Sequence, residues 1–105
     1  MTRVHHPDSK VEVEAWGDHD RFECDDAEVW LDAETILVSY FDDEGVVVLE
    51  GRPDAEGGWE LSARSRPRRA SLRPIADTPG GLEGEIEEQE QVATWRLRLG
   101  VPEPH

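Results

Sequence analysis

Residues 35–51 read TILVSYFDDEGVVVLEG and carry the clearest structural signal in the chain. Two runs rich in β-branched and aromatic residues, 35–41 and 45–51, meet at the polar sequence DDEG. Such runs favour strands, and a short polar link that contains glycine is typical of a β-hairpin. Nearly every side chain of both runs is apolar, so both faces of the hairpin should be covered. We therefore expect the hairpin at the centre of the core, with a second layer of structure packed against it.

On both sides of the hairpin, apolar residues recur at every second position, which is the pattern of strands with one buried face. We predict such strands at 10–16, 28–32, 59–66, 68–75, 82–88 and 93–99. With the hairpin they make about eight short antiparallel strands in a meander, which predicts a small barrel or a sandwich. The predicted fold class is therefore all-β.

The segment 25–35 supports a second interpretation. Asp25 with Glu28 resembles a capping box, and the apolar residues that follow have helical spacing. However, Val29 and Leu31 also alternate with charged or interfacial neighbours, as they would in a strand. We prefer the strand, with a short helix within 25–35 as the alternative.

The length of 105 residues predicts one domain. Residues 1–9 and 101–105 are polar and lack periodicity, so we expect a flexible N-terminal arm, a single β-domain over 10–100 and a flexible tail. No apolar run resembles a secretory signal or is long enough to span a bilayer. The lone Cys24 allows no internal disulfide. A cytoplasmic location is the resulting expectation.

The chain holds 25 acidic and 11 basic residues, a formal net charge of -14. This charge argues against direct binding to nucleic acid or to an anionic membrane. Lys10 is the only lysine, and acidic residues recur along most of the chain, a compositional bias typical of proteins that a halophile has adapted to salt. The alternative is a functional acidic surface that docks a basic partner or imitates a phosphate backbone.

Basic residues concentrate in one stretch and form a candidate site for a partner or an anion: Arg64, Arg66, Arg68, Arg69 and Arg73. A guanidinium fork suits bidentate recognition of phosphate or carboxylate. The competing interpretation is structural, because Arg69 and Arg73 would face outward beside the glutamates of the strand at 82–88. Each glutamate would then lie between arginines of neighbouring strands, in stabilising cross-strand pairs.

Three tryptophans, Trp30, Trp59 and Trp95, could line an internal cavity for an apolar ligand or fill the core. Filling is the favoured interpretation in so short a chain.

Signals for catalysis and for metal binding are missing from the sequence. It contains no nucleophile elbow, no phosphate-binding glycine loop and no His-Glu-x-x-His helix. The spacing of the histidines and Cys24 matches no zinc pattern. We therefore name no catalytic residue and no metal ligand, expect no cofactor, and lean against an enzyme.

The function predicted from the sequence is that of a non-catalytic protein-interaction module of unknown partner. One alternative is a small β-barrel that binds an apolar ligand. A second alternative is an acidic mimic of nucleic acid, because Glu83, Glu85 and Glu87 would follow one strand about 7 Å apart. The interleaved arginines argue against that mimic.

Overall fold

The computed structural model describes residues 4–15, 21–42, 45–63, 68–88 and 91–102. The regular elements in these ranges are all strands: β1 (Val4–Ala15), β2 (Arg21–Leu31), β3 (Ile36–Asp42), β4 (Gly45–Pro53), β5 (Trp59–Ala63), β6 (Arg68–Pro74), β7 (Gly81–Glu88) and β8 (Gln91–Arg98). Each strand pairs antiparallel with the next, and β1 also pairs with β8. The sheet therefore closes into a barrel, which confirms the all-β prediction. Nowhere in these ranges is there a helix long and apolar enough to cross a membrane.

The N-terminal boundary differs from the prediction, because β1 begins at Val4 and not at residue 10. An irregularity at Asp8, which has a φ of 55°, shifts the register between β1 and β2. The buried hydroxyl of Ser9 donates to the carbonyl of His6 at 2.8 Å and accepts the N–H of Gly100 at 2.9 Å. Residues 4–9 are thus held by backbone pairing and by Ser9, although their side chains show no apolar periodicity.

The helix considered for residues 25–35 is not formed, and β2 begins seven residues before the predicted strand at 28–32. Ala27 and Val29 are fully buried in the barrel, whereas Glu28 is exposed and Trp30 is half-buried. A two-residue period therefore prevails over the capping-box pattern, because it places the apolar side chains inside the barrel.

Inward-facing side chains from all eight strands fill the barrel. The buried apolar residues are Val11, Ala27, Val29, Ile36, Val38, Tyr40, Val47, Leu49, Leu61, Ala70, Leu72, Leu82, Ile86, Trp95 and Leu97. The hairpin of β3 and β4 contributes its inner face to this core, as predicted. Its outer face, however, is not covered by a second layer within the described ranges, since Phe41 and Val46 are more than half exposed.

A close approach between strands organises the interior around Trp95. Gly84 of β7 lies opposite Trp95 of β8, and a Cβ atom added at Gly84 would stand 1.9 Å from the carbonyl oxygen of Ser71 on β6. The indole Nε1–H of Trp95 donates to that same carbonyl at 2.9 Å. Glycine at position 84 therefore lets the strand backbones approach where the indole occupies the core.

In two of the turns, an aspartate side chain accepts hydrogen bonds from backbone N–H groups. The side chain of Asp32 accepts the N–H of Glu34 and of Thr35, each at 2.7 Å. The side chain of Asp54 accepts the N–H of Glu56 and of Gly58, each at 2.8 Å. The sequence Asp-Ala-Glu, which begins at both aspartates, thus has a local structural role in each turn.

Candidate interaction surface

The arginines predicted to form one patch do not all share a surface. Arg69 and Arg73 face outward from β6 and are exposed, but Arg68 is 5% exposed and faces the interior. Its Nη1 donates to the hydroxyl of Tyr40 at 3.0 Å. Arg64 and Arg66 lie outside the described residues. Arg68 therefore does not share the outer surface of β6 with Arg69 and Arg73, and the role of these arginines as a binding site stays a prediction.

The inward direction of Arg68 follows from the period of its strand. Arg68, Ala70 and Leu72 alternate with outward side chains, and all three are buried. The spacing of two residues between Arg68 and Ala70 is the sequence signal that places Arg68 inside the barrel. The charge of Arg68 favours the outer surface instead. Burial of a guanidinium requires hydrogen-bond acceptors, and Tyr40 supplies one of them.

The predicted ladder of opposite charges forms only in part. Glu83 lies opposite Arg73 on one side and Arg96 on the other, and its carboxylate is 3.7 Å from the Nε of Arg96. Arg73 instead makes its short contact, 2.7 Å, with Glu56 in the loop between β4 and β5. Glu87 lies opposite Arg69 on β6 but opposite Val92 on β8, and Glu85 lies opposite Thr94. These exposed pairs contribute little to stability.

The three tryptophans do not line a common cavity. Trp95 is fully buried inside the barrel, and Trp59 is half-buried against the core. Trp30 lies on the outer surface, where its ring stacks on His5 with the ring centroids 4.6 Å apart. The buried neighbour Val29 fixes this direction, because successive side chains of a strand point to opposite faces.

The outer side of β2, β3 and β4 carries an apolar surface, which we call the outer apolar face. It consists of Trp30, Leu37, Phe41, Val46 and Val48. Phe41 is 57% exposed and Val46 is 52% exposed. The sequence signal for this face is the hairpin that is apolar on both sides, a pattern that also predicts a covering layer.

Acidic side chains border the outer apolar face. On β2, the exposed Glu28 lies opposite Ser39, and its carboxylate is 3.4 Å from the Nε2 of His5. On β4, Glu50 lies opposite Leu37. Asp25 and Asp26 add two further exposed acidic residues on β2. Glu28 and Ser39 share a row with Val48, between the row of Trp30 and Leu37 and the row of Phe41 and Val46. Polar side chains therefore interrupt the face as well as border it.

A groove of about 750 Å³ continues from the acidic edge at Glu50 across the outside of β4 to β7. The charged lining residues within the described ranges are Glu50, Arg52, Glu60, Arg69, Glu85 and Glu87. Arg52 and Arg69 form no ion pair with the part of the chain that the structure describes. Among the described lining residues, four carboxylates face two guanidiniums, so this part of the groove is acidic.

Asp54, whose carboxyl group has a lowered pKa, lies in a turn and not in the groove. The N–H groups of Gly58 and Glu56 lower the pKa of Asp54, and the guanidinium of Arg73 lowers it further. Those contacts keep the loop between β4 and β5 closed. The described residues also contain no group of three or more histidines, cysteines or carboxylates placed to hold a metal ion.

No protein-family model, curated protein or solved structure matches this chain. The described residues form a small closed antiparallel barrel with an apolar core and exposed apolar side chains on its outer face.

Proposed function

We propose that this protein is a non-catalytic interaction module that docks another protein on its outer apolar face. The observation that supports this proposal is the pair Phe41 and Val46, which lie opposite each other on β3 and β4 and are more than half exposed. Apolar side chains grouped on the surface mark interaction sites, and exposed aromatic residues serve as anchors in such sites.

The barrel keeps this face ready to bind. The inner side chains of β3 and β4, among them Val38 and Leu49, are fully buried and hold the hairpin in the closed sheet. A partner would therefore dock on a surface that is already ordered, which reduces the entropy lost on binding.

The arginine-centred version of the module, predicted from the sequence, has weaker support. Among its described members, Arg68 is buried and Arg73 contacts Glu56, whereas Arg69 lines the groove beside the outer apolar face. We therefore assign docking to the apolar face, with Arg69 at its margin.

The two alternative functions have less support still. A carrier would need its tryptophans around one cavity, and Trp30 lies outside the barrel. A nucleic-acid mimic would need an uninterrupted acidic row, and Arg73 and Arg96 flank Glu83.

The test is native co-purification from the cells that make the protein, with quantitative mass spectrometry. The double variant Phe41→Thr/Val46→Thr removes the two most exposed side chains of the face, at the turn end of the hairpin. The matched control is Val4→Thr/Val101→Thr, which changes two exposed valines away from the hairpin. We expect a partner that is recovered with the unaltered protein and with the control, and that is lost with the face variant. Recovery of no specific partner, or equal recovery by both variants, would overturn the proposal.

The same experiment separates the two versions of the module. Reversal of Arg69 and Arg73 to glutamate should leave the partner in place if the apolar face carries docking. Loss of the partner from this variant alone, with full recovery by the face variant, would return the site to the arginines.

A further inference from the structure

We propose that the partner presents a basic polypeptide segment, which seats apolar side chains on the outer apolar face and runs its lysines or arginines into the acidic groove. This inference rests on the proposed function, since it names the chemistry of the partner that the same surface would take.

The face and the groove form one continuous surface. Strand pairing aligns outward residues in a single row that crosses from the face into the groove: Trp30, Leu37, Glu50, Ser62, Arg69 and Glu87. The row begins with apolar side chains and passes to charged ones at Glu50. A bound segment could therefore contact both regions without leaving the surface.

The charges of this surface select a basic segment. Glu28 and Glu50 border the face, and Glu60, Glu85 and Glu87 continue the acidic lining through the groove. The whole chain carries a net charge of -14, so its field attracts cationic partners and accelerates their association. Arg52 and Arg69 interrupt the acidic lining at two points, which would disfavour a lysine placed directly over them.

A second copy of the chain is disfavoured as the occupant. Two molecules that each carry a charge of -14 repel one another, and their faces would bring acidic borders together. At physiological ionic strength the screening length is about 8 Å, so opposed borders in contact would still interact.

The probe is a library of random 16-residue peptides displayed on phage and selected on the immobilised protein at physiological ionic strength. We expect the selected peptides to be enriched in lysine and arginine together with aromatic or aliphatic residues. Synthetic copies should bind the variant Glu85→Gln/Glu87→Gln about fivefold more weakly or worse, since two exposed charge contacts are lost.

The matched charge control is Glu34→Gln/Asp77→Asn. It raises the net charge by the same two units but changes exposed residues in the turns after β2 and β6. Equal weakening by the control and the groove variant would mean attraction by overall charge alone, and would overturn the inference. Weaker peptide binding by the groove variant alone, with unchanged binding by the control, supports the inference.

Failure of the inference can be told apart from failure of the proposed function. Acidic or neutral selected peptides that lose binding in Phe41→Thr/Val46→Thr would overturn the basic partner and keep the docking face. Peptides that bind this face variant at full strength would overturn both. A dimer of the unaltered protein in sedimentation at physiological ionic strength, absent in the face variant, would assign the face to a second copy and overturn the basic partner.

Discussion

Phe41 lies directly opposite Val46 across β3 and β4, and both side chains point away from the filled interior of the barrel. An aromatic residue paired with a β-branched one stabilises a sheet by about 0.2 to 1 kcal/mol. That contribution is small beside what the same side chains would add if a partner covered them. The proposed docking function therefore assigns the pair a larger energetic role in binding than in the stability of the hairpin.

The first prediction separates stability from docking. Phe41→Thr/Val46→Thr should lower the free energy of unfolding by about 1 kcal/mol or less, because exposed side chains are replaced. Val38→Ala, on the buried side of β3, should lower it by about 2 kcal/mol. Urea denaturation measures both values. A loss from the face variant as large as that from Val38→Ala would make the pair a structural feature and remove the main support for docking.

The second prediction concerns the close approach at Gly84. Gly84→Ala should destabilise the barrel by about 3 kcal/mol, because the added methyl group would meet the carbonyl oxygen of Ser71 that Trp95 uses. The comparison variant is Gly57→Ala, where φ is 86° but no atom crowds the new Cβ, and about 1 kcal/mol is expected. Thermal and urea unfolding provide the readout. Equal stability of the two variants would contradict the close approach.

The third prediction follows from the lowered pKa of Asp54. The N–H groups of Gly58 and Glu56, with Arg73, favour its charged form in the folded state. This stabilisation is therefore present above the unfolded pKa of about 3.9 and is lost as the pH falls through the lower, folded pKa. Asp54→Asn should be less stable than the unaltered protein at pH 7, and the difference should close at acidic pH. A difference that does not change with pH would contradict this role.

Asp77→Asn serves as the control for that experiment. Asp77 is exposed in the turn between β6 and β7, and no hydrogen bond to its carboxylate occurs in the part of the chain that the structure describes. Its substitution should leave the free energy of unfolding at pH 7 largely unchanged.

The fourth prediction concerns the charge of -14. The free energy of unfolding should rise as KCl is raised to about 1 M, where the screening length falls to about 3 Å and self-repulsion is relieved. The variant Glu34→Gln/Asp77→Asn should rise less, because it carries less negative charge. A further rise well beyond 1 M would assign the charge to salt adaptation. Stability that does not depend on KCl would contradict self-repulsion as the dominant effect.

Much of the fold could be predicted because alternation is visible in single strands. Leu61, Leu72 and Leu97 each lie at an alternating apolar position of a predicted strand and are buried, and the hairpin pairs as its sequence indicates. Residues 4–9 could not be predicted, because their place in β1 depends on backbone pairing and on the distant Gly100. That contact is invisible to a local pattern.

The candidate site was harder to predict, for two physical reasons. The directions of Arg68 and Trp30 follow from buried neighbours in their strands, but charge and aromatic character suggested the opposite assignments. The outer apolar face was hard to predict for a different reason. A hairpin that is apolar on both sides needs something to cover each face, and the sequence does not distinguish another element of the same chain from another molecule.

The most direct test of docking is the affinity of the co-purified partner for three purified proteins, measured by isothermal titration calorimetry. We predict that Phe41→Thr/Val46→Thr binds about tenfold more weakly or worse than the unaltered protein, a loss of about 1.4 kcal/mol or more. Val4→Thr/Val101→Thr should bind with the affinity of the unaltered protein. Equal affinity of the face variant and the unaltered protein would contradict the assignment of the outer apolar face as the docking surface.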